Sequence, residues 1–403
     1  MRERSAIYLL VPILVSKLGN QFLILAIPLA LYDLTRSSTD AVISFAVATL
    51  PWLASAFIGA VIDRFDRRQV FIASECLQAV AVTTLALTIS TASLPLTYLL
   101  FLITSTGAVT SSIVVNFLLL PALAPTGRLA RLNGLFTAAS QLVALLGLPL
   151  GGLVYGTLGA RPVLLIDAAS FTLTIGAGLL LPRVPHSLGG SKWPAINQGW
   201  RYLLGQRELL RVALVLGLCN LGAGSLAVVI LQLARGSWHW NSTAASAAMA
   251  VGAAGAAIGA FVGSRRRGDG DAASHRRIAA GLVLLAAGAA LMVVLTFSPL
   301  LLAGYLLLSV GEGLVTVESV LMRQLLIPKE LAGRVNTAIR LIILGAVPLS
   351  GVLQASLLGL GQRVPFVACL LLGSTAVIAW VVRSAPKPAP VPSAALVVPV
   401  DRS

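Results

Sequence analysis

The feature that most constrains this chain is a succession of apolar runs, each about 20 residues long, separated by short polar connections. Windows of spanning length fall at 7–32, 41–62, 70–89, 96–120, 132–155 and 162–181, then at 209–233, 244–262, 278–297, 300–322, 335–358 and 364–382. Hydrophobic residues make up 57% of the 403 positions and charged residues only 11%, against about 25% charged in a soluble domain. A soluble fold cannot hide that much apolar surface, so the solvent for most of it must be lipid. In lipid every backbone N–H and C=O must be satisfied within the segment, which selects helices for runs of this length. The expected fold is an all-α membrane protein of about twelve transmembrane helices.

The charge pattern gives an orientation. Arg64, Arg67 and Arg68, then Arg128 and Arg131, then Arg183, Lys192, Arg201 and Arg207, then Arg265, Arg266, Arg267, Arg276 and Arg277, then Lys329 and Arg334 fall on one side, as do both termini. The other side carries only Arg36, Arg161, Arg235 and Arg363. By the positive-inside rule the first side is cytoplasmic, with both ends of the chain inside a cytoplasmic (inner) membrane. The net charge of +15 is therefore topological, with attraction to anionic lipid as a side effect. It forms no aromatic-basic surface, so no nucleic-acid partner is expected. The first apolar run is too long for a cleavable signal peptide and lacks a clear cleavage site. Cys76, Cys219 and Cys369 lie far apart in apolar runs, and His186, His239 and His275 lie in polar connections. Neither set has ligand spacing, so no metal and no cofactor is expected.

The chain repeats itself. Gly59-Ala60-Val61-Ile62 is answered by Gly259-Ala260-Phe261-Val262. Pro125 with Arg131-Leu132-Asn133 is answered by Pro328 with Arg334-Val335-Asn336, and Pro149-Leu150-Gly151-Gly152 by Pro348-Leu349-Ser350-Gly351. The offset is close to half the chain each time, which implies two parallel repeats of six helices about an axis along the membrane normal. The expected organisation is a six-helix half over 1–182, a cytoplasmic connection over 183–207, a second six-helix half over 208–384 and a disordered cytoplasmic tail over 385–403. In the connection Ile196, Trp200, Leu203 and Leu204 recur at helical spacing opposite Arg201 and Gln206. That spacing predicts an amphipathic helix on the membrane surface.

At Gly59-Ala60-Val61-Ile62-Asp63-Arg64-Phe65-Asp66-Arg67-Arg68 the chain resembles the signature loop between the second and third spans of the major facilitator superfamily. Further stretches are similar to the branch of enterobactin exporters and macrolide-efflux pumps. They are Ala26-Ile27-Pro28, Leu34-Thr35-Arg36-Ser37, Leu165-Ile166-Asp167 through Phe171, and Pro328 through Val335. The resemblance covers nearly the whole chain. It implies a secondary transporter, mostly an exporter driven by protons, with a substrate cavity between halves that rock. The chain departs from the pattern in places. Gly263 stands where Asp63 would repeat, the fourth span has no charge, and the fifth reads Gly147-Leu148-Pro149-Leu150-Gly151-Gly152.

Candidate functional residues follow. Gly59, Asp63, Arg64, Arg67 and Arg68 form the gating loop that the resemblance implies. Asp63 ends a helix near a neighbouring N-terminus, whose dipole favours an anion, and the arginines reach acids or headgroups. Ionisable residues inside spans are expensive and are functional candidates by default. Lys17 lies mid-span with Asn20 and Gln21 on its face, and Arg340 lies one turn after Asn336. Ser309, Glu312, Thr316, Ser319 and Arg323 share one face of the tenth span, while Glu318 points elsewhere, with Gly311, Leu314 and Met322. Glu312 and Glu318 are the proton-exchange candidates; the alternative for Glu318 is an ion pair with Lys17 or Arg340. Lys17, Asn20, Gln21, Asn116, Asn220, Thr316 and Arg340 are the cavity and substrate candidates. Glu75 is expected to pair with Arg67 or Arg68, and Asp167 to cap or orient its helix. Pro149 with Gly151 and Gly152, and Pro348, are places where spans bend. Gly255, Gly259 and Gly263 form a strip for close packing within one half.

The leading expectation is efflux of a small amphipathic molecule by a monomer in contact with membrane lipids and coupled to protons. An importer or uniporter of a metabolite is the alternative. A membrane sensor would need a larger soluble part, and an embedded enzyme a nucleophile-base pair or metal ligands that are not legible here.

Overall fold

The computed structural model describes residues 3–62, 65–91, 93–115, 129–180, 194–265, 271–296, 299–328 and 331–381. Among the described residues ten helices are long and apolar enough to cross a membrane. Span 1 is Glu3–Thr35, span 3 Arg67–Thr88, span 4 Leu94–Val114 and span 6 Ala160–Leu180. Span 7 joins Arg207–Ala223 to Leu226–Gly236. Spans 8 to 12 are Ser242–Arg265, Asp271–Val294, Leu301–Leu326, Ala332–Leu358 and Val364–Val381. Span 2, in the pieces Ser38–Thr49, Leu50–Trp52 and Ser55–Ile62, and span 5, Leu129–Leu158, complete the twelve. The tail expected from 385 onward lies outside the described residues.

Local sequence explains the ends and breaks. Arg36 turns the chain at φ 57°, and the Ser37 hydroxyl then caps span 2 by accepting from the Asp40 N–H at 3.2 Å. Asp66 caps span 3, its carboxylate accepting from the N–H groups of Arg68 (2.8 Å) and Gln69 (3.3 Å). Span 2, expected as one helix, breaks into a 3₁₀ turn at Leu50-Pro51-Trp52, because proline has no N–H to give the helix ladder. Span 7 breaks at Gly224-Ser225, where the Ser225 N–H donates to the Ser350 hydroxyl of span 11 at 3.2 Å. Pro149 and Pro348, expected as bend sites, lie inside spans 5 and 11. Gly151 and Gly152 allow close approach. A Cβ on Gly151 would fall 3.0 Å from Phe22 of span 1, and one on Gly152 1.7 Å from the Ser246 hydroxyl of span 8.

Large apolar side chains such as Val80, Leu99, Leu180 and Leu371 stand exposed on the outside of the bundle, as lipid-facing residues must. The buried core is asymmetric along the bundle axis. One cluster runs through both sets of six helices and includes Leu23 to Leu31 of span 1, Val228 to Leu233 of span 7 and Ala245 to Ala250 of span 8. Toward the end that carries Arg68, Arg201 and Arg207 (the basic end) two further clusters stand apart. One comprises Ile13, Ile62, Phe71 and Phe136 of the first six spans. The other comprises Leu203, Leu209, Ile327 and Val335. The connecting helix Pro194–Gly205 belongs to the second of these. Leu203 is fully buried while Leu204 is exposed, and the Tyr202 hydroxyl donates to the Leu326 carbonyl at 3.0 Å. The helix therefore docks on spans 10 and 11 through Leu203 rather than through both leucines.

Candidate functional site

A cavity of about 350 Å³ opens among spans 7, 9, 10 and 11. Span 10 supplies one wall. Glu312, Thr316, Ser319 and Arg323, at spacings of three and four, come to one face and line it together. Ser309, expected on the same stripe, is buried and packs beside Gly255 of span 8. Span 11 supplies Arg340 and span 7 supplies Asn220. The Arg323 guanidinium donates back to the Ser319 carbonyl at 3.1 Å, which sets its direction. The Asn220 amide donates to the Ile343 carbonyl at 2.8 Å and ties span 7 to span 11. Arg340 lies over the Trp52 ring of span 2, 5.6 Å from its centre, so a residue of the first six spans touches a residue of the cavity lining. Leu216, Leu285, Val315 and Ile343 supply apolar lining. Among the described residues the charged lining is two guanidiniums against one carboxyl, a cationic surplus in an apolar bowl.

The other expected cavity residues lie elsewhere. Lys17 places its ammonium over the Phe136 ring of span 5, 5.3 Å from the centre. Gln21 packs on Gly147 of span 5, within 2.7 Å of where a Cβ would stand, and Asn20 is half-buried in span 1. None of the three lines the cavity, and Asn116 lies outside the described residues. Among the described residues this cavity is lined by spans 7, 9, 10 and 11.

Glu318 is corrected most clearly. Its partner is neither Lys17 nor Arg340 but Arg277, with nitrogen–oxygen distances of 2.5 and 3.3 Å. Spans 9 and 10 approach closely enough for this because glycine faces glycine. A Cβ on Gly311 would stand 2.3 Å from the Gly281 carbonyl, and one on Gly288 2.6 Å from that of Gly304. Glu318 continues the Gly304–Gly311 face by seven residues, two helical turns, and meets Arg277 one turn before Gly281. Arg277 reads from sequence as a loop cation; its place inside span 9 was the missed signal.

Glu75 does not pair with Arg68, and the Arg67 side chain lies outside what the structure describes. Glu75 accepts from the Ser111 hydroxyl and the Thr174 hydroxyl, each at 2.6 Å. Arg68 donates instead to the Gly178 carbonyl at 3.1 Å and the Leu179 carbonyl at 2.5 Å. A cation there satisfies open carbonyls at the end of span 6 and suits the helix dipole. Asp63 and Arg64 lie outside the described residues, and Gly59 has open space around it, with nothing within 4 Å of a built Cβ. Asp167 does not cap its helix: it is fully buried within span 6.

At the end opposite the basic loops (the far end) a cross-link joins the two sets of six. Arg235 of span 7 donates to Asp33 of span 1 at 2.8 Å, and the Tyr155 hydroxyl of span 5 donates to the same carboxylate at 2.9 Å. Sequence reasoning gave these three residues no role, since each sits at a helix end like any interfacial polar residue. Nearby, Gly351 of span 11 packs on Ala46 of span 2. Contacts between the sets reach inward to Leu53 beside Gly345 and to Trp52. Farther toward the basic end, among the described residues, Phe57 of span 2, Phe65 just after it, and Ile258 and Phe261 of span 8 are exposed. Among the described residues no group of three His, Cys, Asp or Glu is placed to hold a metal ion.

The sequence profile of the Major Facilitator Superfamily matches residues 9–343. Over 230 residues the chain is 26% identical to the uncharacterized MFS-type transporter YkuC of Bacillus subtilis (strain 168). That match covers 52% of each protein, so the chain spans about half the length of the relative it matches. Among solved structures, the nucleoside transporter NupG has a TM-score of 0.71 at 11% identity, covering 94% of this chain and 98% of that one. A bacterial homologue of the iron transporter ferroportin in its inward-facing state has 0.69 at 18%, covering 94% and 99%. A bacterial homolog of the lysosomal transporter Spinster, inward-facing and occupied, has 0.72 at 12%, covering 94% and 96%. At these identities the likeness is one of fold.

Proposed function

The chain belongs to the Major Facilitator Superfamily and is a multi-pass membrane transporter; on that premise we propose that it exports a small amphipathic molecule bearing an acidic group, by alternating access coupled to protons. The observation that carries the reading is the cavity. Its apolar lining takes the body of such a molecule, and Arg323 and Arg340 attract an anionic group, bidentate pairing with a carboxylate or phosphate being the strong form of that contact. Glu312, in the same cavity, is placed to exchange a proton as substrate arrives or leaves. With Glu318 held by Arg277, Glu312 is the better of the two coupling candidates.

The two six-helix units, taken as 1–182 and 208–384, rock about the cavity. In this reading the basic loops and both termini face the cytoplasm, and the conformation is the inward-open one. Support comes from the core that is continuous at the far end and divided at the basic end. The pair Asp33–Arg235 then shuts the outer side, and it must part when that side opens. The gating role of Gly59, Asp63, Arg64, Arg67 and Arg68 rests on the family resemblance. So does the placement among exporters of the enterobactin and macrolide-efflux kind. The protein is taken to act as a monomer in the cytoplasmic membrane.

The test is transport of anionic and cationic amphiphiles in inside-out vesicles, with and without a pH gradient. Export predicts accumulation of the anionic members on acidifying the lumen, lost in Arg340→Ala and uncoupled from the gradient in Glu312→Gln. Coupling that survives intact in Glu312→Gln removes that residue from the mechanism. Uptake into intact cells without dependence on the gradient favours the importer or uniporter instead.

A further inference from the structure

The first six spans enclose a polar column that the cavity does not use. On span 3, Glu75 and Gln78 lie one turn apart, 1% and 0% exposed. On span 6, Asp167, Ser170 and Thr174 follow at spacings of three and four, all buried, and so share one face. The two spans run in opposite directions, so Glu75 meets Thr174, and Gln78 faces the part of span 6 that leads to Asp167. Span 1 adds Ser16, whose hydroxyl reaches Glu75, and Gly19, whose missing side chain makes the notch for Asp167. A Cβ on Gly19 would stand 2.3 Å from the Asp167 Oδ1. Span 4 adds Ser111, and Gly107, against which the Gln78 side chain lies.

Donors and acceptors in this column do not balance. Glu75 accepts two hydroxyls at 2.6 Å, the length typical of O–H to a carboxylate. The Gln78 amide donates to the Ser74 carbonyl at 3.2 Å and also reaches Glu75. Both of its neighbours are acceptors, which fixes the amide's orientation and turns its Oε1 away from them. That oxygen is buried and has no partner among the described residues, and the same is true of both oxygens of Asp167. Ser170 lies beside the Asp167 carboxyl but directs its proton to the Asp167 main-chain carbonyl at 2.7 Å.

No protein cation answers these acceptors among the described residues. Span 4 has no cationic side chain between Leu94 and Val114, and its Tyr98 hydroxyl donates to the Asp40 carbonyl. On span 6 the only cationic one is Arg161, six residues from Asp167 at the helix start. Arg68 is engaged with Gly178 and Leu179. Lys17, next to Ser16, turns its ammonium to Phe136. Tyr155, at the far end of span 5, donates to Asp33. Two carboxyls whose charges interact therefore sit in a low-dielectric core with three acceptor oxygens that have no settled partner among the described residues, the Ser170 hydroxyl beside Asp167 being shared with the main-chain carbonyl. Such a group is stable only when something positive or proton-donating joins it, and an all-oxygen set suits a hard cation.

We propose that Glu75, Gln78 and Asp167, with the hydroxyls of Ser16 and Ser170, form a buried site for one monovalent cation, sodium or a proton, in the core of spans 1–6. The site lies apart from the substrate cavity and does not depend on what the cavity carries. Because its test reads binding, failure of the transport reading leaves it standing.

The experiment uses purified full-length protein in detergent, with apparent unfolding temperature measured at constant ionic strength. Sodium chloride replaces choline chloride at fixed pH in one arm, and pH is stepped in choline alone in the other; radioactive sodium binding is measured in parallel. Sodium occupancy predicts a saturable rise in unfolding temperature and bound radioactive sodium, both abolished in Asp167→Asn. Gln78→Leu should raise the half-saturating concentration about tenfold, as losing one hydrogen-bonding ligand to a charge does. Proton occupancy predicts a rise on acidification, no sodium response, and a smaller acid response in Asp167→Asn. If Asp167→Asn does not fold, Gln78→Leu and Ser170→Ala carry the comparison. A wild-type protein that responds to neither ion, or variants that respond as wild type does, overturns the proposal and leaves ordered water as the occupant.

Discussion

The two sets of six helices arise from one repeated pattern, yet they treat buried acids in opposite ways. In the second set Glu318 is 1% exposed and meets Arg277 through two contacts, at 2.5 and 3.3 Å. In the first set Glu75 is equally buried but is held by the neutral hydroxyls of Ser111 and Thr174, and the Asp167 oxygens have no partner among the described residues. A charge balanced by a fixed guanidinium belongs to the architecture. A charge surrounded only by neutral groups is open to whatever exchangeable cation can reach it. The acids are alike in depth, and their neighbours set their roles.

Breaking the fixed pair should have the largest effect. Arg277→Leu leaves Glu318 buried without its cation and should cost about 3–5 kcal/mol, read as a fall in unfolding temperature and in membrane yield. Adding Glu318→Leu should recover most of that loss, and no recovery would mean that Arg277 acts mainly through other contacts. Next comes a comparison between repeat-equivalent glycines. Gly259→Ala drives a Cβ to 2.0 Å from the Val310 carbonyl of span 10 and should cost about 1–3 kcal/mol. Gly59→Ala meets nothing within 4 Å and should leave stability unchanged. Any transport defect in Gly59→Ala would then report on a conformation other than this one.

Glu75→Gln keeps the shape and one acceptor oxygen, so it should cost only about 1 kcal/mol, far less than Arg277→Leu. A cost as large as that of Arg277→Leu would erase the contrast between the two sets. The smallest effect on stability belongs to Arg235→Ala. The pair is partly exposed, 21% at Arg235 and 33% at Asp33, and such pairs are worth about 0–1 kcal/mol. Its signature should be conformational: a cysteine placed at Gly236, beside the Tyr32 hydroxyl, should label faster in the Arg235→Ala background. Equal labelling rates would show that Asp33 and Arg235 do not hold the two sets together.

Much of the fold was legible because lipid leaves so few options. Twelve apolar runs, each long enough to span, could only be helices, and the repeats at half the chain length could only be two like bundles. The span 10 stripe was legible too, since residues three and four apart on a helix share a face; four of its five members line one cavity. What pattern could not supply was the partner of each residue. Arg277 looked like one more loop arginine, and Asp33, Arg235 and Tyr155 sit about 120 or 200 positions apart. The breaks in spans 2 and 7 were also missed, because hydropathy averages over Pro51 and Gly224-Ser225.

The sequence alone determined that this chain crosses a membrane as two sets of six helices and which side chains would be costly there, because both follow from residue type and spacing along a single helix. Tertiary structure decided which of those costs are met inside the protein. Glycine faces between spans 9 and 10 bring Arg277 to Glu318, and span 2 delivers Trp52 to Arg340, while the approach of spans 3 and 6 encloses Glu75 and Asp167 with no cation beside them among the described residues. Charge compensation depends on distance in three dimensions, and the chain's order does not encode it.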